Sequence, residues 1–362
     1  MNEETNSQAP NWPKETPNNI IVRMPNWLGD LVMATPVLAD LRTKYPNATI
    51  TAMCQTNVCP LLTHDPNINE IFCYKRPSGW IHRRQHFEIT EPLRKAEYDL
   101  GVLLTNSFSS AWWFWRGRVK NRLGFSSGFR GLFLDKAVPF PKERETQHLV
   151  ITYKELLKPL GIDVSDTPTK LYLTDKEIQD AKDMLKRYGI EWGKHTILGI
   201  NPGAAYGSAK CWLPDRFEAV TNRLLEQPDT YVIYFGDNAG APLVNSICEK
   251  FQDRVINLAG KTSIRELMAL IYCCSAFLTN DSGPMHIAAA LGTPLLALFG
   301  STNEVKTGPY PKGRVIHKHV ECSPCYKRVC PIDFRCMKRI EVDEVYNELM
   351  EVLEESGQDR SP

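Results

Sequence analysis

The sequence predicts an α/β fold made of two domains, each built around a parallel sheet. Short apolar runs alternate with segments of helical periodicity, and this pattern starts again after about residue 169. The chain has 362 residues, more than one domain usually contains. With 43% hydrophobic and 23% charged residues, it can bury a core in each domain.

The predicted domain boundaries follow these patterns. Residues 1–18 are polar and rich in proline and asparagine, and we expect a disordered tail. Residues 19–168 form the first domain, residues 169–340 the second, and residues 341–362 a C-terminal helix and tail. The N-terminus lacks the basic and apolar regions of a signal peptide, and no run reaches the roughly 18 apolar residues of a membrane span, so we expect a cytoplasmic protein.

The elements of the first domain alternate in the order expected for a parallel sheet. Its predicted strands are 19–24, 48–53, 68–74 and 99–104. Its predicted helices are 30–45, 58–63, 87–95 and 146–160. Asp30 therefore lies where the first helix begins, above the edge of the sheet.

Basic and aromatic residues are concentrated in the first domain. The net charge of +1 gives no overall field for nucleic acid, but residues 75–144 contain 14 Lys and Arg against 6 Asp and Glu. Residues 108–122 combine three tryptophans with four basic residues. They form either a surface for an amphiphilic anion or a helix whose aromatic face lies in the core. A similar basic loop at residues 75–84 slightly favours the surface.

The second domain repeats the alternation. Its predicted helices are 174–188, 215–226, 264–274 and 284–291. Its predicted strands are 196–201, 231–235, 255–258 and 272–279, and another strand follows the last helix. The loop after the first of these strands is rich in small residues and carries one cation, Lys210, which is either a point charge for a phosphate or an ordinary surface lysine.

The most informative stretch is residues 277–300, which reads as strand, tight turn, helix and strand. Residues 280–283 have turn and N-cap character, and Pro284 suits the first helical position. A helix that starts directly after a strand points unpaired N–H groups at the space above the sheet, where a phosphate fits. Alternatively, Asp281 and Ser282 only cap the helix.

Several known site motifs are absent from the sequence. There is no Gly-x-Gly, which a dinucleotide fingerprint requires. There is no Asp-x-Asp pair to hold Mg²⁺ on a diphosphate. Stabilisation of an anion therefore has to come from Lys210 and from helix N-termini.

Four of the eleven cysteines are close together near the C-terminus. Cys322, Cys325, Cys330 and Cys336 have the compact spacing of a thiolate metal site. A structural zinc or iron ion, free thiols and disulfides all remain open, with disulfides less favoured in the cytoplasm. His317 and His319 could substitute as ligands.

Four motifs together resemble the bacterial lipopolysaccharide heptosyltransferase family of glycosyltransferases. They are NWLGD at residues 26–30, NPGA with a following AKxWxP at 201–214, FGD at 235–237 and NDSGPMH at 280–286. The resemblance extends from about residue 20 to residue 353. It implies the GT-B fold, in which two Rossmann-like domains face each other across a cleft, with the acceptor on the first domain and the nucleotide-sugar on the second.

The resemblance also implies the reaction. Heptose would pass from ADP-L-glycero-D-manno-heptose to Kdo2-lipid A that bears one heptose, with inversion, no cofactor required for catalysis, and peripheral contact with the inner leaflet of the inner membrane. Alternatives are another heptosyltransferase acceptor, a nucleotide-sugar hydrolase or epimerase, and an inactive ADP-sugar binder.

The roles carried over by the resemblance fall on the matching positions. Asp30 matches the catalytic aspartate, although it could instead cap a helix, and Lys210 matches the phosphate-binding lysine. Ser282 and Gly283 match the diphosphate turn, while Asp281 and His286 either contact sugar hydroxyls or shape the motif. The residues assigned to substrate binding are Asn26, Gly29, Tyr206, Gly236, Asp237, Ala259, Gly260, Lys261, Thr262, Asp281, Ser282, Gly283 and His286.

Overall fold

The computed structural model describes residues 12–79 and 83–359. The chain divides into two compact units, with the division between Thr167 and Pro168, one residue before the boundary drawn from the sequence. Most of the predicted disordered tail lies outside the described residues; of the rest, Pro17 is buried and the Asn18 N–H donates to Asp99. Within the described ranges, no helix is long and apolar enough to cross a bilayer.

The first unit contains a six-stranded sheet in which every neighbouring pair is parallel. The strands are β1 (Asn19–Arg23), β2 (Thr49–Gln55), β3 (Glu70–Tyr74), β4 (Leu100–Leu103), β5 (Asn121–Phe125) and β6 (Lys136–Val138). Their order is β3-β2-β1-β4-β5-β6. The chain changes direction across the sheet between β1 and β4, which is the switch point where open α/β sheets bind ligands.

Among the described residues of this unit, five α-helices accompany the sheet. They are α1 (Leu28–Met33), α2 (Thr35–Lys44), α3 (Arg83–Lys95), α4 (Phe108–Arg116) and α5 (Leu149–Glu155). The predicted single helix over residues 30–45 is wrong, because α1 ends at Met33 and α2 begins at Thr35, with Ala34 between them. Pro36 in the first turn of α2 has no N–H to continue the helical hydrogen bonding of α1.

The second unit has the same plan. Its strands are β7 (Thr196–Asn201), β8 (Thr230–Tyr234), β9 (Val255–Asn257), β10 (Ala276–Asn280), β11 (Leu295–Phe299) and β12 (Arg314–His317). The order is β12-β11-β10-β7-β8-β9, again with parallel pairs throughout, so the switch point lies between β7 and β10. The predicted α/β class with two parallel sheets is confirmed.

Eight helices accompany the second sheet in the described ranges. They are α6 (Asp175–Arg187), α7 (Pro214–Leu224), α8 (Ala241–Cys248), α9 (Ile264–Cys273), α10 (Gly283–Leu291), α11 (Glu304–Thr307), α12 (Arg335–Lys338) and α13 (Val342–Asp359). The predicted strand over 272–279 begins too early, because Tyr272 still belongs to α9. The helix α8 was not predicted.

The C-terminal helix belongs to the second unit. Val345, Leu349 and Val352 of α13 are buried in the same hydrophobic cluster as residues of β7, β8 and β10. Trp212, almost fully buried, donates from its indole N–H to the Ile340 carbonyl at 3.1 Å. Residues 341–359 therefore complete the core of this unit rather than forming an independent tail.

One pair of cysteines departs from the expectation of free thiols. Cys59 and Cys73 form a disulfide, with their Cα atoms 6.0 Å apart. The short 3₁₀ turn Cys59–Leu62 follows β2 and lies beside β3, which brings the two side chains together. The other nine cysteines form no disulfide in the described part of the chain.

An ion pair between α6 and α9 gives a pH-dependent stability prediction. Arg265 donates to Glu177 with both its Nε and Nη2 atoms at 2.7 Å, and this pairing lowers the pKa of Glu177 to about 2. Because the folded pKa lies below the unfolded value, the stabilisation is present above about pH 4.5 and is lost as the pH falls toward 2. Glu177→Gln should lower the free energy of unfolding at pH 7 by about 1 to 2 kcal/mol, as expected for a charged hydrogen bond.

The measurement is urea unfolding of both proteins from pH 7 to pH 3. The difference in the free energy of unfolding between the wild type and Glu177→Gln should shrink below about pH 4.5, since protonated Glu and Gln carry the same charge. The control is Asp180→Asn, which removes the exposed pair with Lys176 and should cost less than about 0.5 kcal/mol. A difference that stays constant with pH would contradict the assignment.

Candidate active site

The predicted site residues of the second unit lie at the carboxyl ends of its strands. Because all six strands are parallel, these ends share one edge of the sheet. Lys210 follows β7, Gly236 follows β8, the segment 259–262 follows β9, and Asp281 follows β10. The fold therefore gathers segments that are far apart in sequence beside the switch point.

Lys210 and Asp281 form the charged centre of this edge. The Lys210 ammonium donates to Asp281 Oδ2 at 2.5 Å, and the two side chains are only 13% and 5% exposed. Thr302, which follows β11, donates its hydroxyl to the same oxygen at 2.6 Å. Asp281 thus holds Lys210 in one position, and its contact with sugar hydroxyls stays a prediction.

The loop that carries Lys210 is fixed at both ends by the fully buried Asn280. Its amide donates to the Pro202 carbonyl at 2.7 Å, and its side-chain oxygen accepts from the Trp212 N–H at 3.0 Å. Asn201 adds bonds to the Gly203 carbonyl and the Ser282 hydroxyl. Two buried asparagines at strand ends therefore determine where the lysine stands.

The side chain at the N-cap position of α10 does not bond to the first turn of the helix. Ser282 is in extended conformation, but its hydroxyl bonds Thr279 at 2.9 Å and Asn201 at 3.2 Å instead of the helix backbone. Gly283 and Pro284 open the helix. The alternative that Ser282 only caps the helix is not supported by these bonds, and an anion could accept from the N–H groups of the first turn.

The cysteine-rich segment packs directly on the loop that carries Lys210. The Tyr206 hydroxyl donates to the Tyr326 carbonyl at 2.8 Å, and the Ala209 N–H donates to the Arg328 carbonyl at 3.0 Å. Gly207 is so close that a Cβ there would lie 2.3 Å from the Arg328 oxygen. The Lys210 ammonium and the Arg328 guanidinium lie 4.9 and 5.3 Å from the Tyr206 ring centre.

The ends of β8 and β9 form a second part of the edge. Gly260 has φ +70°, a Cβ there would lie 2.6 Å from Asn238 Oδ1, and its N–H donates to the Gly236 carbonyl at 2.9 Å. Asp237 accepts from the Gly240 N–H at 2.7 Å and so forms the turn into α8. Ala259 is buried, Thr262 is half-buried and Lys261 is exposed, with its ammonium on the Asn257 carbonyl. Their role toward adenosine stays a prediction.

In the first unit, Asp30 lies in the first turn of α1, directly after β1 at the switch point. The N-cap position belongs to Trp27, so Asp30 is not the N-cap residue. The Asp30 carboxylate is half-buried. Burial raises the pKa of the Tyr153 phenol in α5 well above its usual value, and the negative charge of Asp30 raises it further. Asp30 is thus placed beside a buried phenol, with Gly29 half-buried next to it.

A buried cation holds the segment 26–30, which ends in Asp30. Arg23, at the end of β1, donates to Asn26 Oδ1 at 2.6 Å and also bonds the Tyr74 hydroxyl. Burial lowers the pKa of Arg23, and no described carboxylate pairs with it. Asn26 is therefore an anchor for residues 26–30.

The aromatic segment is a helix with two faces. In α4, Trp113 and Phe114 are buried in the core and Trp113 donates to His86, as the core interpretation predicts. Trp115 is exposed on the other face and contacts Phe133 edge-to-face. The core interpretation is confirmed for the face that carries Trp113 and Phe114, and the surface for an amphiphilic anion stays a prediction. In the basic loop 75–84, residues 80–82 lie outside the described part.

The four clustered cysteines line one cavity of about 180 Å³, together with Ser301 and Arg335. Among the described residues, one set of His, Cys, Asp and Glu ligand atoms lies within 4.8 Å of one another, and it consists of Glu304, His317 and His319. His317 bonds Glu304 and Ser323 through its two ring nitrogens, at 2.6 and 2.8 Å. The four sulfur atoms thus face a common space without touching.

Sequence reasoning missed Thr302, Arg328 and Arg23. Thr302 and Arg328 reach the site from segments that no motif connected to Lys210, and only the parallel order of the strands brings them there. Arg23 was included in a strand as an ordinary residue, although a charge inside an apolar run is itself a signal. His286 is buried in α10, as a structural histidine would be.

Two units, each with a doubly wound parallel sheet, have the architecture of glycosyltransferases of the GT-B fold. The solved ADP-heptose lipopolysaccharide heptosyltransferase II of Escherichia coli superimposes with a TM-score of 0.78 at 25% identity, covering 94% of this chain and 99% of that one. The fold predicted from the resemblance is thereby confirmed.

The particular family follows from the sequence comparisons. The model of glycosyltransferase family 9 (heptosyltransferase) matches residues 86–334, and the chain belongs to this family. The lipopolysaccharide heptosyltransferase 2 of Escherichia coli K12 is 30% identical, over 82% of this chain and 87% of its own length. The lipooligosaccharide heptosyltransferase 2 of Haemophilus influenzae is 28% identical, over 84% and 89%.

Asn280 gives the prediction for this site. Asn280→Ala leaves the Trp212 N–H and the Pro202 carbonyl buried without partners, and each such group costs about 1 to 3 kcal/mol. We expect the free energy of unfolding of the second unit to fall by about 2 to 4 kcal/mol. The measurement is urea unfolding followed by tryptophan fluorescence, since Trp212 reports on this loop.

The matched control is Asn222→Ala, at an exposed position of α7. It should be neutral or slightly stabilising, because alanine is the better helix former. Equal effects of the two substitutions would show that Asn280 does not hold the loop.

Proposed function

We propose that this chain transfers L-glycero-D-manno-heptose from ADP-heptose to the first heptose of the lipopolysaccharide inner core, with inversion. The observation that carries the proposal is the uncapped start of α10 beside the buried Lys210, in a chain of the heptosyltransferase family. The relatives named heptosyltransferase 2 support the choice of acceptor.

On the donor side, the diphosphate binds the first turn of α10. The backbone N–H groups of that turn and the helix dipole favour the negative charge that develops on departing ADP. Lys210 adds a point charge that Asp281 and Thr302 already hold in place, so little reorganisation accompanies the reaction. Gly236 and the segment 259–262 lie on the β8 and β9 side of the same edge and contact the nucleoside.

On the acceptor side, Asp30 is the general base. It takes the proton of the attacking hydroxyl, whose oxygen forms the new bond to the anomeric carbon. The bond from that carbon to the phosphate oxygen breaks on the opposite face, which inverts the configuration. Asp30 is half-buried in the first turn of α1, at the switch point of the first sheet.

The direct test is transfer itself. Purified protein is incubated with ADP-heptose and lipopolysaccharide that bears a single heptose, and ADP release and product mass are followed. We expect a mass gain of one heptose. Asp30→Ala should lower kcat by about 10²- to 10⁴-fold, as expected for loss of a general base. Lys210→Ala should raise the donor KM and lower kcat together.

The matched controls are Asp163→Ala and Lys312→Ala, at exposed positions outside both switch points. They should retain full activity. ADP release without growth of the glycolipid would mean hydrolysis or another acceptor. Full activity of Asp30→Ala would show that Asp30 is not the general base.

We further propose that the first unit works at the inner leaflet of the inner membrane. Phe129 and Leu132 are 83% and 81% exposed, and they lie next to the exposed Phe108 and Trp115 of α4. Beside them, Arg94, Arg116 and Arg118 line a small cavity with Phe87, which is also exposed. Apolar rings next to cations match a bilayer surface with anionic headgroups.

Vesicle sedimentation tests this surface. The protein should bind phosphatidylglycerol vesicles and not phosphatidylcholine vesicles, and binding should weaken with salt. The triple change Trp115→Ser, Phe129→Ser, Leu132→Ser should lower the partition coefficient at least tenfold. Tyr188→Ser is the control, because Tyr188 of the second unit is about as exposed as Trp115. Undiminished binding of the triple variant would exclude this face.

A further inference from the structure

The segment 321–334 contains neither helix nor strand. Its apolar side chains Val329 and Ile332 are exposed, whereas Cys322 and Phe334 pack against the core. Its backbone makes the contacts to Tyr206, Gly207 and Ala209 described above. A metal ion is one way to order a loop that lacks regular secondary structure.

The four cysteines occupy the right positions for such a metal ion. They line the same cavity: Cys322, Cys325 and Cys330 lie in the segment, and Cys336 follows it in the first turn of α12. Zinc and iron ions both take thiolate sulfur as a ligand.

The surroundings of the sulfur atoms fit thiolate ligands. The Phe334 N–H donates to Cys330 Sγ at 3.3 Å. Lys327 lines the cavity and supplies positive charge, and Arg335, which also lines it, pairs with Asp333. Backbone N–H donors and nearby cations are the partners that stabilise metal-bound thiolates.

The sulfur atoms are farther apart than in a loaded site. A tetrahedral ion with metal–sulfur bonds of about 2.3 Å holds its sulfur atoms about 3.8 Å apart. Cys322, Cys325 and Cys330 are half-buried in irregular backbone, so side-chain rotation and small loop shifts can bring them together. Binding therefore tightens the segment around the ion.

We propose that Cys322, Cys325, Cys330 and Cys336 bind one zinc or iron ion, and that this ion positions the loop of Lys210. Residues 326–328, which contact Tyr206 and Ala209, lie between the second and third ligands. An ion that orders these cysteines therefore also orders residues 326–328, on which the loop of Lys210 rests. The ion takes no part in the transfer step. The positioning role rests on the function proposed above, whereas metal binding does not.

The first measurement is metal content, which needs no substrate. Protein purified without added metal and under reducing, anaerobic conditions should contain about one zinc or iron per chain by mass spectrometry of the elements. Exchange with Co²⁺ should give the visible bands of tetrahedral thiolate coordination. Cys325→Ser and Cys330→Ser should each lose the metal, whereas Cys248→Ser, a half-buried free thiol of α8, should keep it.

The second measurement is the donor KM. Removal of the ion by a chelator should raise it about tenfold, and adding the metal back should restore it. Tyr206→Phe should raise the donor KM while the metal content stays at one, because it removes the bond to Tyr326 and leaves the ligands intact. This variant separates the positioning role from metal binding.

Several results would overturn the proposal. Wild-type protein with no bound metal, no cobalt bands and four thiols open to a thiol reagent would exclude the site, whether or not the variants fold. Full metal content in Cys325→Ser and Cys330→Ser would exclude these ligands. Metal binding with an unchanged donor KM after chelation would exclude the positioning role, and failure of heptose transfer with one bound metal would count against the proposed function alone.

Discussion

The second unit depends on the buried pair of Lys210 and Asp281. Removing one partner of such a pair leaves an uncompensated charge in the protein and costs about 3 to 5 kcal/mol. The surrounding bonds are arranged to keep both partners: Thr302 holds the carboxylate, Asn280 holds both ends of the lysine loop, and Asn201 holds its first turn and Ser282. The same bonds leave the α10 backbone open to an anion. The bonds that hold Lys210 and Asp281 in place therefore also keep the first N–H groups of α10 without a side-chain cap.

The first unit also holds its site loop with a buried charge, but without an ion pair. Its site loop rests on Arg23, a buried guanidinium whose partners are an amide oxygen, a phenol and backbone carbonyls. With no described carboxylate to neutralise it, the charge of Arg23 remains beneath the segment that ends in Asp30.

Much of this arrangement could be predicted from the sequence, because the strongest signals are local. β7 was predicted with its observed bounds, and the turn at residues 280–284 was identified from cap and proline preferences. The break at Ala34 was missed, since the apolar periodicity continues through it and only the missing N–H of Pro36 interrupts the helix. Contacts such as Thr302 with Asp281 or Arg328 with Tyr206 depend on strand order, which no local pattern contains.

The close approach at Gly207 has a consequence for how this protein can change over evolution. There is no room for a side chain between that residue and the Arg328 carbonyl. A substitution at residue 207 would therefore be tolerated only if the backbone near residue 328 moved as well, for example through a deletion. Two stretches more than a hundred positions apart are thus bound to vary together, and a change in one should be found with a change in the other.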